Sequence, residues 1–273
     1  MSQTVDVHFV EQFEAEVHLA YQRMGAMLRN TTRRKDNIEG KQTSFRKTAA
    51  TTAGTKSRDG KVPIANLVHT EVDCVLSDHY IGEYIDALDQ LKTNIDEMDV
   101  ASMSLAASLG RKSDELIRDD GLANSSQQTA TSGGVTKAKI ELIYEAFGND
   151  NVPADGRRFL SVSAQGWTDL MNLDEFARVE FIGTDRLPWA NPIGAKSWMS
   201  FIVFEYSGWS ASGAVRSGYA WHASAVGHAS GKEVGLDITW SGERQSNLVV
   251  GSMSQGACEI DDLGKYELRH TEV

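Results

Sequence analysis

Hydrophobic positions near the start of the chain return every three or four residues. Phe9, Phe13, Val17, Ala20, Tyr21, Met24 and Leu28 fall on one stripe, with Glu, Gln and Arg opposite, which predicts an amphipathic helix over 9–28. The rhythm then stops. From Thr31 to Lys61 the large apolar groups are Ile38 and Phe45, set among Thr, Ser, three Gly and many cations, so a long, thinly packed β-hairpin or loop is expected. Between Ile81 and Asp119 the helical period returns through Tyr84, Leu88, Leu91, Ile95, Met98, Ser102, Leu105, Leu109 and Leu116, with Asp78 placed to start the helix. At ~1.5 Å per residue a continuous helix here would reach roughly 55–60 Å. Ser102 and Lys112 interrupt a coiled-coil seam, while Ala106, Ala107 and Gly110 allow close approach, so the helix is expected to lie on a sheet.

A low-complexity joint, "GLANSSQQTATSGGVT" (121–136), follows, with Gly121 as the expected C-cap. Ile140, Ile143, Tyr144 and Phe147 predict a short helix over 137–147. Beyond it, period two takes over. Residues 157–171 read as a strand entering a short helix, and 197–206 as one buried strand. Further strands are expected at 217–226, 233–240, 246–260 and 265–270. All six Trp lie between Trp167 and Trp240, so the C-terminal half should hold the denser core.

Charge changes this picture in one place. The chain carries −11 overall, yet residues 29–61 hold ten Lys/Arg against three Asp/Glu; that local excess of seven leaves the rest at −18. Arg33, Arg34 and Lys35 are contiguous, and Lys41, Arg46, Lys47, Lys56 and Arg58 continue the segment. Phosphate neutralisation is one reading. With Phe45 as the only aromatic there is no stacking platform for single strands. The other reading is attraction to the acidic remainder of a second copy of the same chain. With so little apolar content, replacing Arg33, Arg34 and Lys35 by Glu is expected to leave the subunit folded.

Candidate chemistry adds little. No GxSxG, Walker A or GxGxxG pattern occurs, no catalytic residues emerge, and no cofactor is implied. His222 and His228, six apart, match no metal-ligand spacing and read as hydrogen-bonded structural residues, so no metal is expected. Cys74 and Cys258 form neither a CxxC nor a zinc pattern and are expected as free thiols in a reducing cytosol. No apolar run is long enough for a membrane span, and the N-terminus lacks the basic and apolar regions of a signal peptide.

The order of parts resembles the major capsid proteins of tailed bacteriophages, of Hong Kong 97-type fold. Local stretches strengthen it: "VPADGRRFLSVSAQGWTDLMNLDEFA" (152–177) with its Leu170-Met171 pair, "WHASAVGHASG" (221–231) and "SMSQGACEIDDLGKYELRH" (252–270) are similar to elements of that family. The resemblance implies an α+β fold. Its parts would be an N-terminal arm (1–30), an extended β-hairpin or E-loop (31–76), a P-domain with the spine helix (77–150), mainly an A-domain (151–245), and closing strands returning to the P-domain (246–273). It further implies a homo-oligomer of pentamers and hexamers in a closed icosahedral shell around double-stranded DNA, bound without sequence specificity. Scaffolding, portal and decoration proteins are possible partners; assembly would occur in the host cytoplasm, without a membrane. The basic residues named above would then contact a neighbouring subunit. An encapsulin-like nanocompartment shell, and a DNA-binding phage structural protein using 29–61, are the alternative readings.

Overall fold

The computed structural model describes residues 25–90, 97–177 and 195–271. The helix expected over 9–28 therefore lies outside the described residues except for Gly25–Leu28, which bend into a single 3-10 turn at Arg29–Thr31. The first sheet has four strands, in the order β1 (Arg33–Lys35), β10 (Val226–Ser241), β11 (Ser246–Glu259) and β4 (Ser77–Asp86). β10 and β11 form a long antiparallel hairpin, and β4 pairs with β11 from Ser77↔Gln255 to Asp86↔Ser246.

That last pairing corrects the helix expected from residue 78 onward. Asp78 and the stretch through Asp86 are strand, and helix begins with the short α1 (Ala87–Gln90) and continues in α2 (Glu97–Leu116). Ile81 and Ile85, four apart, share one face of a helix and equally one face of a strand, so spacing could not separate the two. Leu91 and Ile95 lie outside the described residues. As expected, α2 rests on this sheet: Ala101 and Leu105 pack with Ile85 and Val249. A side chain at Gly251 would stand 2.8 Å from Leu109 Cδ1, so the absence of a Cβ there sets how closely helix and sheet approach.

α2 runs into a π-helical turn, Ile117–Leu122. Gly121 is not the left-handed cap; that backbone conformation falls to Asn124 (φ 59°). A Cβ on Gly121 would come within 2.7 Å of Val226, so Gly121 serves close packing. The joint after it is pinned as an extended strap. Gln127 and Thr129 clamp Glu267 of the last strand, through Thr129 N–H to Glu267 O (2.9 Å) and Glu267 N–H to Gln127 O (2.9 Å).

The second sheet runs β12 (Lys265–Thr271), β9 (Val215–His222), β5 (Arg158–Val162), β7 (Phe201–Glu205) and β6 (Ala195–Trp198), with β8 (Ala211–Ser212) beside β9. One face is covered by α3 (Lys137–Asn149) and α4 (Ala164–Met171), where Ile140, Ile143, Phe147 and Leu170 meet Leu160, Val162, Phe201 and Val203. The short α5 (Asp174–Ala177) adds Phe176. The opposite face stacks Tyr206, Trp209, Tyr219 and Trp221 against Leu28, Ile117 and Leu122, which joins this sheet to the end of α2. Strand 197–206 is instead a tight hairpin of β6 and β7. Met199 and Ser200 turn the chain at φ 46° and 64°, a conformation usually signalled by Asn or Gly.

Candidate inter-subunit surface

Strands β2 (Gln42–Thr48) and β3 (His69–Val75) form a separate two-stranded hairpin, in register from Gln42↔Val75 to Thr48↔His69. Its root is anchored by one aromatic. Phe45 is fully buried with Cys74, Ala229, Cys258 and Ile260, flanked by Ile38, Val72 and Leu76. Two backbone bonds fix the same root, Leu76 N–H to Lys41 O (2.9 Å) and Ile38 N–H to Ser230 O (3.1 Å). Above the last pair the chain continues from Ala49 to Val68 with almost every residue exposed. Val62, Ile64, Leu67 and Val68 are exposed there, Ile64 at 87%.

The eight basic residues divide between two settings. β1 runs parallel to β10, with Arg34 opposite His228. Arg34 pairs with Asp36 (3.0 Å), Arg29 pairs with Glu233, and Arg33 and Lys35 lie 5.7 and 4.8 Å from the centre of the Phe45 ring. Lys47 pairs with Asp261 (2.7 Å), and Arg46 with Glu71 across the hairpin (2.7 Å). These cations hold the hairpin to its own chain. Lys41, Lys56 and Arg58 are exposed and, among the described residues, form no ion pair. The structure thus brings Arg33, Arg34 and Lys35 together at the root and sends Lys56 and Arg58 to the tip.

A second exposed strip was not singled out by charge. Among the described residues, β1 covers β10 only at Gly227–Ala229, which leaves the distal half of β10 as a sheet edge carrying Leu236, Ile238 and Trp240 at 42–51% exposure. Tyr80 and Tyr84 are exposed on β4 across the sheet, and Arg244 sits 4.3 Å over the Tyr84 ring. Its sequence signal is the alternation of "GLDITW" (235–240), which predicts a strand but not that its apolar face is exposed. Unpaired edges with apolar side chains are normally covered in a working protein.

The histidines sit as expected. His222 bonds Ser224 Oγ (2.7 Å) and Asp155 Oδ1 (3.0 Å), and His228 bonds Gln255 Oε1 (3.3 Å). Among the described residues no group of three or more His, Cys, Asp or Glu is arranged to hold a metal ion, and no helix is long and apolar enough to cross a membrane.

Two sheets around a helix, a projecting hairpin and open apolar edges define a subunit built for assembly. The family model for phage capsid protein matches residues 5–272, and the chain belongs to that family. Solved structures agree on the fold. A structure from Mycobacterium phage Che8 superposes with a TM-score of 0.76 at 15% identity, over 96% of this chain and 97% of that one. The head of Helicobacter pylori bacteriophage KHP40 gives 0.73 at 13% identity, over 99% and 98%. The capsid of cyanophage P-SCSP1u gives 0.72 at 15%, over 97% and 94%. Comparison with curated protein sequences found no match. The fold is Hong Kong 97-like, and the chain is a phage capsid protein, a structural component of the virion.

Proposed function

We propose that many copies of this chain close into an icosahedral head shell of pentamers and hexamers that encloses double-stranded DNA, and that assembly takes place in the host cytoplasm. In this reading residues 31–76 are the E-loop, 77–150 the P-domain with its spine helix, 151–245 mainly the A-domain, and 246–273 the strands that return to the P-domain. The observation that carries it is the tip of the hairpin. Residues 49–68 expose Val62, Ile64, Leu67 and Val68 beside Lys56, Arg58 and Lys61, and such a surface gains stability only when laid on another molecule. A neighbouring copy offers acidic ground, since the chain outside 29–61 carries −18. Lys56, Arg58 and Lys61 at the tip, with Lys41 exposed at the root, are the cations in position to reach it.

Use of the basic segment on DNA is less favoured, because Arg33, Arg34, Lys35 and Lys47 are occupied within their own chain. Negative-stain imaging of the purified protein, with nuclease digestion before extraction, tests the proposal. Closed shells that protect double-stranded DNA are expected from infected cells. Open sheets, persistent monomers, or shells filled with protein alone would reject it.

A further inference from the structure

The two cysteines, distant in sequence, meet at the root of the hairpin. Cys74 and Cys258 are the penultimate residues of β3 and β11, and both are buried around Phe45. The approach depends on two glycines. A Cβ on Gly256 would stand 2.1 Å from Val75 O, so the end of β3 lies directly on the β11 backbone. A Cβ on Gly227 would meet both Phe45 (2.8 Å) and Cys258 Sγ (3.0 Å). The Ser77↔Gln255 register of β4 on β11, carried three residues further through the Val75–Gly256 approach, sets Cys74 against Cys258. That contact, together with burial, holds the Cys74 thiol protonated well above the usual range. The same contact, with the Gly227 amide and the charge of Lys35, holds Cys258 below it, against the opposing effect of burial. Cys258 also keeps 7% exposure where Cys74 has none, which makes Cys258 the nucleophile and Cys74 the resolving thiol.

We propose that Cys74 and Cys258 are a modification site, a dithiol that a peroxide converts into an intrachain disulfide stapling the hairpin β2–β3 to strand β11. The Cys258 thiolate attacks one oxygen of hydrogen peroxide; the O–O bond breaks, and the departing hydroxide takes up a proton to leave as water. This leaves a sulfenic acid on Cys258. Cys74 then gives up its proton, and its sulfur attacks the Cys258 sulfur. The S–O bond breaks, and the hydroxide leaves as water with that proton. Two thiols lose two electrons, and one peroxide becomes two waters. The consequence is mechanical. The hairpin root is otherwise held by the Phe45 cluster, two backbone hydrogen bonds and a few ion pairs, and the new bond would fix its direction after the protein leaves a reducing compartment. This holds wherever the tip of the hairpin docks.

The test uses the whole chain, native, with excess hydrogen peroxide, followed by denaturation and alkylation of remaining thiols. Expected are a loss of two hydrogens in the intact mass, one linked peptide pair containing Cys74 and Cys258, and reversal by dithiothreitol. Amide exchange over 42–48 and 69–75 should slow at least several-fold in the oxidised form. In Cys74→Ser the oxidation should halt at Cys258 as a sulfenic acid trapped by dimedone. In Cys258→Ser, Cys74 should stay unlabelled. Two alkylatable thiols after treatment, links between chains, or overoxidised cysteines without a link would each overturn the proposal. Unchanged exchange in a linked hairpin would overturn the stapling role. The wild-type measurement decides the site even where a variant folds poorly.

Discussion

Phe45 shows how much one side chain can carry where apolar groups are scarce. It is fully buried, receives Arg33 and Lys35 over its ring, and organises the cluster that roots the hairpin. Phe45→Ala should cost about 3–5 kcal/mol if the root unfolds with the rest of the chain; urea denaturation would measure it. If the root opens first, only hydrogen exchange over 42–75 would rise. His228 is a second informative residue. Burial, with Arg29 and Arg34 nearby, depresses its pKa to about 4, against favourable contributions from Gln255 and Asp36. The unfolded chain, with an ordinary histidine pKa near 6.5, binds the proton first. This group's contribution is therefore intact above pH 6.5, falls as pH drops from 6.5 to 4, and changes no further below that. The loss should be on the order of 3 kcal/mol. His228→Gln should flatten the stability profile across that window, and an unchanged slope would refute the assignment. At this scale the sequence showed which residues were cationic or aromatic. It did not show which cations faced inward, because that depends on β10, almost two hundred residues away.

At the scale of elements, α2 serves as a fastening point as well as a bar. Asp114 is fully buried and accepts hydrogen bonds from the backbone N–H groups of Met27 (3.2 Å) and Leu28 (3.0 Å), while Ala26 N–H bonds Gly110 O (3.0 Å). Gly25 and Gly110 lie so close that a Cβ on Gly25 would meet the Gly110 backbone at 2.5 Å. Asp114→Ala leaves the buried Leu28 N–H and the half-buried Met27 N–H without this acceptor, the buried one worth ~1–3 kcal/mol when unsatisfied. Exchange of the Met27 and Leu28 amides should accelerate at least tenfold while the β10–β11 amides remain protected. Equal acceleration everywhere would show that Asp114 acts on global stability alone. Helices α3 and α4 and strand β11 were legible from period, since each buries mainly one face, whereas β5, β9 and β12, buried on both faces, were legible as short segments between turn signals. The start of α2 was not, because Ile81 and Ile85 fit either period and only β11 resolves the choice. The β6–β7 turn was hidden for a different reason: Met199-Ser200 adopts a glycine-like conformation without a glycine.

The whole molecule turns weak surface terms into a decision about assembly. An exposed ion pair contributes only ~0.2–1 kcal/mol, but a shell repeats it at every equivalent contact. Changing Lys41, Lys56 and Arg58 together to Glu should leave circular dichroism and thermal stability unchanged and lower particle yield severalfold by sedimentation. Normal shells would remove electrostatics from the account of how the hairpin docks. Changing Arg33, Arg34 and Lys35 to Glu should behave differently from the sequence-based expectation of an unaffected fold. It sets carboxylates against Glu233 and removes both cations from Phe45, so about 1–3 kcal/mol of subunit stability should be lost before assembly is tested. By itself the sequence determined the order of parts, the alternation of the C-terminal strands, the low apolar content of 31–61 and the sign of its charge. These are local properties, written in periods of two or three to four residues and in composition. The tertiary structure alone decided that the root of the basic segment belongs to its own subunit while its tip faces outward, and that Cys74 meets Cys258. Those facts rest on strands brought together across nearly the full chain, and no local period records such long-range pairing.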